Sequence, residues 1–215
     1  MTVIKVCGIT ETTGLQAALA LGVDRIGLMF APNSPRLLAM EKAVELAEVI
    51  RGRAQIVAVA VNPGDKLVKR IVTNIKPDFL QLHGNENPKR VRSLWKQHRI
   101  PVIKAFAVSS AKDIADADRY STTAAEYLFD ARPQANADRE GGLGIAFNWS
   151  LLEHVNPSRP FLLAGGLTPQ NVAEAISKSG AKMVDVSSGV ESSNGIKDEG
   201  LLQAFCAKVR SSDDQ

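Results

Sequence analysis

The sequence is poor in cysteine and has no long apolar run. Its only cysteines are Cys7 and Cys206, whereas a small oxidised secreted domain usually carries several at framework spacings. It contains no CxxC pair or Cys/His cluster of the kind that binds zinc, so we expect no metal site. No apolar segment reaches the length of a membrane span, and the first residues lack the pattern of a signal peptide. These absences predict a cytoplasmic protein without a membrane partner.

Charge of one sign is not in large excess. The chain has 26 Lys and Arg against 23 Asp and Glu, a formal net charge of +3, and the basic residues are scattered. Nucleic-acid-binding proteins concentrate positive charge on one face or stripe, so we expect no nucleic-acid partner, whereas a small anionic ligand fits this charge. Low-complexity tracts and long charge blocks are also absent, which favours one ordered domain over residues 1–215.

Short apolar segments alternate along the chain with segments of helical spacing. In the helical segments apolar residues recur three and four positions apart, as at Val68, Ile71 and Ile75, which is the spacing of a helix with one buried face. Gly22 and Gly180 follow two such segments, where glycine commonly ends a helix. The strand candidates are residues 3–7, 25–30, 55–61, 79–83, 102–106, 127–130, 161–164 and 183–187.

This alternation predicts a parallel sheet covered by helices. Eight repeats in 215 residues fit a compact, single-domain α/β protein of the (β/α)8 TIM-barrel class. The alternative is an open doubly wound sheet, but the GxGxxG motif of its nucleotide-binding members is missing, because the first turn reads CGITET. The barrel is therefore favoured. Residues 131–148 are the least regular stretch and are predicted to form a long loop after the sixth strand.

Four polar residues are predicted to meet at one rim of the barrel. Barrel active sites lie at the carboxyl ends of the strands, and alternate side chains of a strand point inward. If the apolar members of each strand face the helices, then Cys7, His83, Asp130 and Asp185 point inward near those ends. Polar groups inside a barrel cost free energy unless they are paired or functional, so this rim is the candidate site.

Each of these residues also has a structural explanation. Cys7 could be a small buried hydrophobe, His83 a structural histidine, and Asp130 the cap of a loop. Asp185 could neutralise Lys5, which shares the inward face of the first strand. Lys5 also lies two residues from Cys7 on that face, where its charge is expected to favour the thiolate. The pattern of the strands alone leaves these alternatives open.

The loops after the seventh and eighth strands are rich in glycine. Glycine lets the backbone approach a ligand closely, N–H groups at helix starts attract anions, and barrel phosphate sites recur at this position. The first loop could instead form only a tight turn with Thr168 as a helix N-cap. Two adjacent glycine loops favour phosphate binding. The residues predicted to bind phosphate are Gly165, Gly166, Ser187, Ser188 and Gly189.

Several short motifs occur in order from the first strand to the eighth. They are KVCGIT at 5–10, SPR at 34–36, QLHGNE at 81–86, Asp130, GGLGIAFNW at 141–149, AGGL at 164–167 and DVSSGVE at 185–191. This ordered set, spread over nearly the whole chain, resembles the phosphoribosylanthranilate isomerases. The sequence departs from the family pattern at Leu143, where a small hydroxyl residue is usual, and at Asn148, where Asp is usual.

The resemblance implies a cofactor-free Amadori rearrangement in tryptophan biosynthesis, catalysed by an isomerase of the aldose–ketose type. By motif position, Asp130 would be the acid that opens the ribose ring, and Cys7 the base that takes a proton from the adjacent carbon. Arg36 would hold the anthranilate carboxylate, and His83 and Asp185 would also bind the phosphorylated substrate. A monomer is expected, with a homodimer as the alternative.

Two other functions are compatible with a phosphate-binding barrel. Indoleglycerol-phosphate synthase binds a related phosphate but needs a catalytic set of Lys and Glu residues. A barrel that binds a sugar phosphate without catalysis would keep the glycine loops and could lose the acid and the base. The presence of both Cys7 and Asp130 favours the isomerase over this second alternative.

Overall fold

A closed barrel of eight parallel strands forms the centre of the molecule. The computed structural model describes residues 1–131, 149–153 and 157–213. The last strand pairs with the first, Lys5 lying opposite Asp185, so the predicted barrel is confirmed and the open sheet is not formed. The strands are β1 Val3–Cys7, β2 Arg25–Met29, β3 Gln55–Ala60, β4 Phe79–Leu82, β5 Val102–Val108, β6 Glu126–Ala131, β7 Phe161–Ala164 and β8 Met183–Val186.

Helices follow the strands and cover the outside of the barrel. Gly22 and Gly180 lie just past the first and seventh helices in left-handed conformations, as predicted. A short hairpin of β9 Glu191–Ser193 and β10 Ile196–Lys197, which the sequence did not predict, precedes the last helix. The helices are α1 Thr12–Ala20, α2 Met40–Ile50, α3 Asp65–Ile75, α4 Pro88–His98, α5 Ala111–Ala117, α6 Ser150–Glu153, α7 Val172–Ser179 and α8 Glu199–Ser212. None of the helices described has the length and apolarity to cross a membrane.

The core has two apolar layers, as the alternation of the strands predicted. Ile4 and Val6 of β1 belong to the outer layer, between the sheet and the helices. Cys7, Val57 and Leu128 belong to the inner layer inside the barrel. Burial of this apolar surface stabilises the fold by roughly 25 cal/mol per Å². The barrel interior is therefore packed, and a ligand site has room only at one of its ends.

A polar cluster closes the amino-terminal end of the barrel. Arg25, at the start of β2, forms a two-pronged ion pair with Glu126 at the start of β6, with N–O distances of 2.5 and 2.9 Å. Its Nε donates to Gln55 at 2.9 Å, and its guanidinium stacks on Phe79, 4.4 Å from the ring centre. Arg25 is consequently only 7% exposed. The cavity that the predicted site residues line lies at the opposite, carboxyl end of the barrel.

Candidate active site

A cavity of about 230 Å³ opens at the carboxyl end of the strands. Every residue that the sequence predicted for catalysis or binding lines it. These residues are Cys7, Arg36, His83, Asp130, Gly165, Gly166, Asp185, Ser187, Ser188 and Gly189. Met29, Gln81, Ala164 and Leu167 line it as well. Within the described ranges, no group of three or more His, Cys, Asp or Glu side chains is arranged to hold a metal.

Cys7 ends β1 with its thiol at the floor of the cavity. It is 6% exposed, and a Cβ atom added to Gly27 on the neighbouring strand would lie 2.8 Å from its Sγ. Burial raises the pKa of the thiol, although the positive charges of Lys5 and Lys197 act in the opposite direction. Lys5 therefore favours the thiolate as predicted, but desolvation is the larger effect and the neutral thiol is favoured overall.

Asp185 is paired with Lys5 inside the barrel. The Lys5 Nζ lies 2.8 Å from an Asp185 carboxylate oxygen, and the Lys5 side chain is completely buried. This contact confirms that Asp185 neutralises Lys5. Asp185 also lines the cavity, so its carboxylate stands between the buried ammonium and the space for a ligand.

Three polar side chains from β4, its following loop and β6 form a chain along one wall. The His83 Nε2 lies 3.1 Å from an oxygen of Asp130, and both side chains are about one-third exposed, at 33% and 35%. The His83 Nδ1 lies 3.2 Å from the Gln81 amide nitrogen. Gln81 is 1% exposed. The sequence placed His83 and Asp130 at one rim but assigned no role to Gln81.

The two glycine loops touch each other beside the cavity. A Cβ atom on Gly189 would lie 1.8 Å from the carbonyl oxygen of Leu167, so only glycine permits this approach. Gly166 is exposed, has a φ of +64°, and has nothing within 4 Å of an added Cβ. The alternative in which Thr168 is an N-cap is wrong, because α7 begins at Val172 with Asn171 as its N-cap.

Asn171 holds the first glycine loop in place from the start of α7. Its side-chain nitrogen donates to the Gly166 carbonyl at 2.9 Å, and its side-chain oxygen accepts from the Thr168 N–H at 2.8 Å. Asn171 thus holds the loop at Gly166 and at Thr168, on either side of the buried Leu167, and Gly166 lines the cavity.

Arg36 meets a partner that the sequence did not predict. Its Nε and Nη2 donate to the two carboxylate oxygens of Glu191 at 2.6 and 2.5 Å. Lys197 on β10 donates to the same carboxylate at 2.7 Å. Although burial opposes ionisation, the hydrogen bonds from Arg36 and Lys197 hold the pKa of Glu191 at about 2. A guanidinium has five N–H donors, so the edge of Arg36 that Glu191 leaves free is the one available to a ligand.

The sequence positions of Glu191 and Lys197 do not show that Glu191 binds Arg36 or that Lys197 binds Glu191. Glu191 lies at the end of the DVSSGVE motif, which pointed to the loop but not to a partner. Lys197 lies in a two-residue strand, and a lysine in a short loop segment is expected at the surface. The only signal for Lys197 is its closeness in the chain to the second glycine loop.

Two of the predictions concern residues between 131 and 149, a segment that the structure does not describe. Leu143 and Asn148, and most of the predicted loop 131–148, fall outside the described residues.

Comparison with known proteins identifies a single family. Residues 4–208 match the family described as N-(5'phosphoribosyl)anthranilate (PRA) isomerase. The chain is 46% identical over 212 residues to the N-(5'-phosphoribosyl)anthranilate isomerase of Rhodopseudomonas palustris (strain BisB5), covering 99% of this chain and 97% of that protein.

Solved structures agree with this match. The fold is similar to a crystallised phosphoribosyl anthranilate isomerase in complex with reduced 1-(o-carboxyphenylamino)-1-deoxyribulose 5-phosphate, with a TM-score of 0.86, 30% identity and coverage of 98% of this chain and 100% of that one. It is also similar to monomers generated from the dimeric phosphoribosylanthranilate isomerase of Thermotoga maritima, with a TM-score of 0.85, 30% identity and coverage of 98% and 100%.

Proposed function

Because the chain belongs to the phosphoribosylanthranilate isomerase family, we propose that it carries out the Amadori rearrangement of tryptophan biosynthesis. The reaction converts N-(5-phosphoribosyl)anthranilate into 1-(2-carboxyphenylamino)-1-deoxyribulose 5-phosphate. One observation carries the proposal: Cys7 and Asp130 line the same cavity as both glycine loops. An acid, a base and a place for phosphate are thus together, and the chemistry needs no cofactor.

Asp130 is the proposed acid. Protonation of the ribose ring oxygen lets the ring open, and the anthranilate nitrogen then forms an iminium with the sugar carbon. The acid must lie within hydrogen-bond reach of that oxygen and be able to hold a proton there. Asp130 is partly exposed at the wall of the cavity and is hydrogen-bonded to His83, which keeps the carboxyl group in a fixed position.

Cys7 is the proposed base. The iminium acidifies the C–H group of the adjacent carbon, so a thiolate can take that proton and give an enolamine, which tautomerises to the ketone. Burial raises the pKa of Cys7, so the thiolate is the minor form at neutral pH. A base with a high pKa is a strong base, and this partly offsets its low population.

The remaining residues of the cavity bind the two charged ends of the substrate. The backbone of Gly165, Gly166 and Gly189 takes the phosphate, because glycine lets a ligand approach backbone N–H groups closely and such groups attract an anion. Arg36, held by Glu191 on one edge, offers its other edge to the anthranilate carboxylate. His83, Asp185, Ser187 and Ser188 complete the proposed contacts with the substrate.

We also propose that residues 1–215 form one catalytic domain that works in the cytoplasm. The single closed barrel supports the first part. A monomer is proposed, with a homodimer as the alternative, and sedimentation of the purified protein distinguishes the two.

The function is tested by complementation and by assay of the purified enzyme. The gene should restore growth without tryptophan to a strain that lacks this isomerase. The Cys7→Ser and Asp130→Asn variants, purified from that strain, should each lose turnover by at least about a hundredfold while remaining folded.

Cys206→Ser is the matched control, because Cys206 is buried in the outer core on α8 and does not line the cavity. Near-normal turnover of Cys7→Ser would remove Cys7 from the role of base. Binding of the substrate without turnover by the unaltered protein would support the non-catalytic barrel instead.

A further inference from the structure

Gln81 is a buried amide with an unused acceptor inside the active site. It lies on β4, is 1% exposed and lines the cavity. Its nitrogen lies 3.2 Å from His83 Nδ1, whereas its oxygen has no hydrogen-bond partner among the residues that the structure describes. A buried acceptor without a partner is unfavourable, so the amide is held only through its nitrogen, and its oxygen can gain a partner if the amide turns.

The observed orientation of the amide dictates where the proton of His83 lies. In a neutral imidazole one ring nitrogen donates and the other accepts. Because the Gln81 nitrogen can only donate, His83 Nδ1 must accept, and His83 Nε2 must then carry the proton. Nε2 lies 3.1 Å from Asp130 and so donates to it. In this arrangement the Asp130 oxygen that faces His83 carries no proton, and His83 Nε2, which already holds one, cannot accept a proton from Asp130.

A half-turn of the Gln81 amide produces the opposite arrangement. The oxygen then accepts a hydrogen bond from a protonated His83 Nδ1. His83 Nε2 is left to accept a proton from the Asp130 carboxyl group, or to share it as an imidazolium beside the carboxylate. In both forms Asp130 can share a proton with His83, which the first arrangement does not allow, and the Gln81 oxygen gains a hydrogen-bond partner.

We propose that Gln81 is a positioning residue whose amide selects the tautomer of His83 and thereby sets whether His83 donates a hydrogen bond to Asp130 or shares the proton of Asp130 during ring opening. The inference rests on the proposed role of Asp130 as the acid. Gln81 acts through His83 and does not touch the reacting atoms. The other charged groups at the cavity are Asp185, paired with Lys5, and Arg36, paired with Glu191, and neither pair includes Gln81.

Two substitutions separate the two arrangements. A carboxylate in Gln81→Glu can only accept, so it forces a proton onto His83 Nδ1. Gln81→Met has a similar volume but neither donates nor accepts, so it removes the choice of tautomer. Gln55→Met is the control, because Gln55 is a strand amide at the opposite end of the barrel, bonded to Arg25.

The readout is the 15N NMR spectrum of the histidine rings, which reports the tautomer without any need for turnover. The chain has only 3 histidines, and His83→Asn identifies the His83 signals. The unliganded enzyme with neutral His83 should show an unprotonated Nδ1, Gln81→Glu a protonated Nδ1, and Gln81→Met a mixture. Gln55→Met should match the unaltered enzyme.

Kinetics supply the second readout. In Gln81→Met, kcat should fall by at least about tenfold and KM should change much less, because proton transfer at Asp130 depends directly on His83, whereas His83 is only one of several substrate contacts. The same His83 tautomer in all Gln81 variants would overturn the proposal, and so would a raised KM with unchanged kcat, which would make Gln81 a direct substrate contact. If Gln81→Met fails to give a folded protein, the tautomer of His83 in Gln81→Glu is sufficient to test the proposal. A change of tautomer in a protein without isomerase activity would instead overturn the proposed function.

Discussion

Two opposing effects act on the thiol of Cys7. Burial at the end of β1 favours the neutral form, whereas Lys5 and Lys197 favour the thiolate, and burial is the larger effect. The sequence predicted the effect of Lys5 because both residues share one face of a strand. It did not predict the size of the desolvation, which depends on how seven other strands enclose that position. A raised pKa has a direct consequence for the dependence of the reactivity of the thiol on pH.

Alkylation of Cys7 should become faster as the pH rises through the titration of its thiol. The thiolate is the reactive form, and the pKa of the thiol lies above its ordinary value, so the rise should lie on the alkaline side of neutrality. The measurement is the rate of alkylation by iodoacetamide against pH. Turnover is not expected to follow the same curve, because Asp130 must keep a proton in the cycle in which Cys7 loses one.

The second cysteine provides the control for this experiment. Burial raises the pKa of Cys206 to about 11, so its alkylation should be slow where Cys7 reacts, and Cys206→Ser removes its contribution altogether. An alkylation rate of Cys7 that does not rise with pH above neutrality would contradict the raised pKa of its thiol, and with it the assignment of Cys7 as a base that is mostly protonated at neutral pH.

Gly166 offers a test of the phosphate site at a single residue. Its φ of +64° is one that Asp and Asn tolerate, and an added side chain meets nothing within 4 Å. Gly166→Asp should therefore fold, and its carboxylate should repel the phosphate and raise KM on the order of tenfold or more.

Gly166→Asn has the same shape without the charge and should raise KM far less. Equal KM values for the two variants would show that charge at this loop does not matter, and would place the phosphate elsewhere.

Among the elements, the β9–β10 hairpin makes contacts that position the active site. The sequence of the hairpin does not reveal these contacts. Lys197 on β10 donates to the Ser187 carbonyl at 3.0 Å and to Glu191 at 2.7 Å. The Gly195 carbonyl of the hairpin accepts from the Thr10 hydroxyl at 2.6 Å. The hairpin therefore connects the second glycine loop, the loop after β1 and, through Glu191, Arg36. Two of these contacts, Thr10–Gly195 and Arg36–Glu191, join residues far apart in the chain, and no local pattern encodes them.

Removing the positive charge of Lys197 should weaken the contacts between the hairpin and the active site. The Lys197 side chain is completely buried against a Glu191 that is 4% exposed, so Lys197→Met leaves a buried carboxylate with Arg36 alone. We expect a loss on the order of 3 kcal/mol in the free energy of unfolding and a raised KM. Urea denaturation and steady-state kinetics measure the two effects.

Lys178→Met is the matched control, because Lys178 pairs with Glu174 on the exposed side of α7 and should cost less than about 1 kcal/mol. Adding Glu191→Gln to Lys197→Met should recover part of the lost stability. An unchanged unfolding free energy in Lys197→Met would contradict a structural role for the hairpin.

For the whole molecule, the periodicity of the sequence was sufficient to predict the barrel and the four polar residues of its rim, whereas Arg36 was placed only by the resemblance to a family. Strand alternation separated Cys7 and Asp130 from the outward apolar residues, and parallel strands bring their carboxyl ends to one rim. Periodicity does not show which charged groups contact each other across the barrel. Arg25 and Glu126 are separated by 101 residues and lie on strands that are not neighbours, so their contact follows only from closure of the sheet.

The Arg25–Glu126 pair allows the effect of the amino-terminal end of the barrel on stability to be measured separately from effects on catalysis at the carboxyl end. Arg25→Met breaks the two-pronged contact and leaves Glu126 with little access to water, since its side chain is 13% exposed. We expect a loss of about 3–5 kcal/mol in the free energy of unfolding, as for other buried pairs that lose one partner. Replacing both members, as Arg25→Met with Glu126→Leu, should restore much of the lost stability, because no unpaired charge is left inside.

The kcat of the folded fraction should stay unchanged in both variants, since neither residue lines the active-site cavity. Urea denaturation gives the stabilities, and turnover per folded enzyme at low temperature gives the catalytic effect. A large fall in kcat with little loss of stability would show that the two ends of the barrel are coupled.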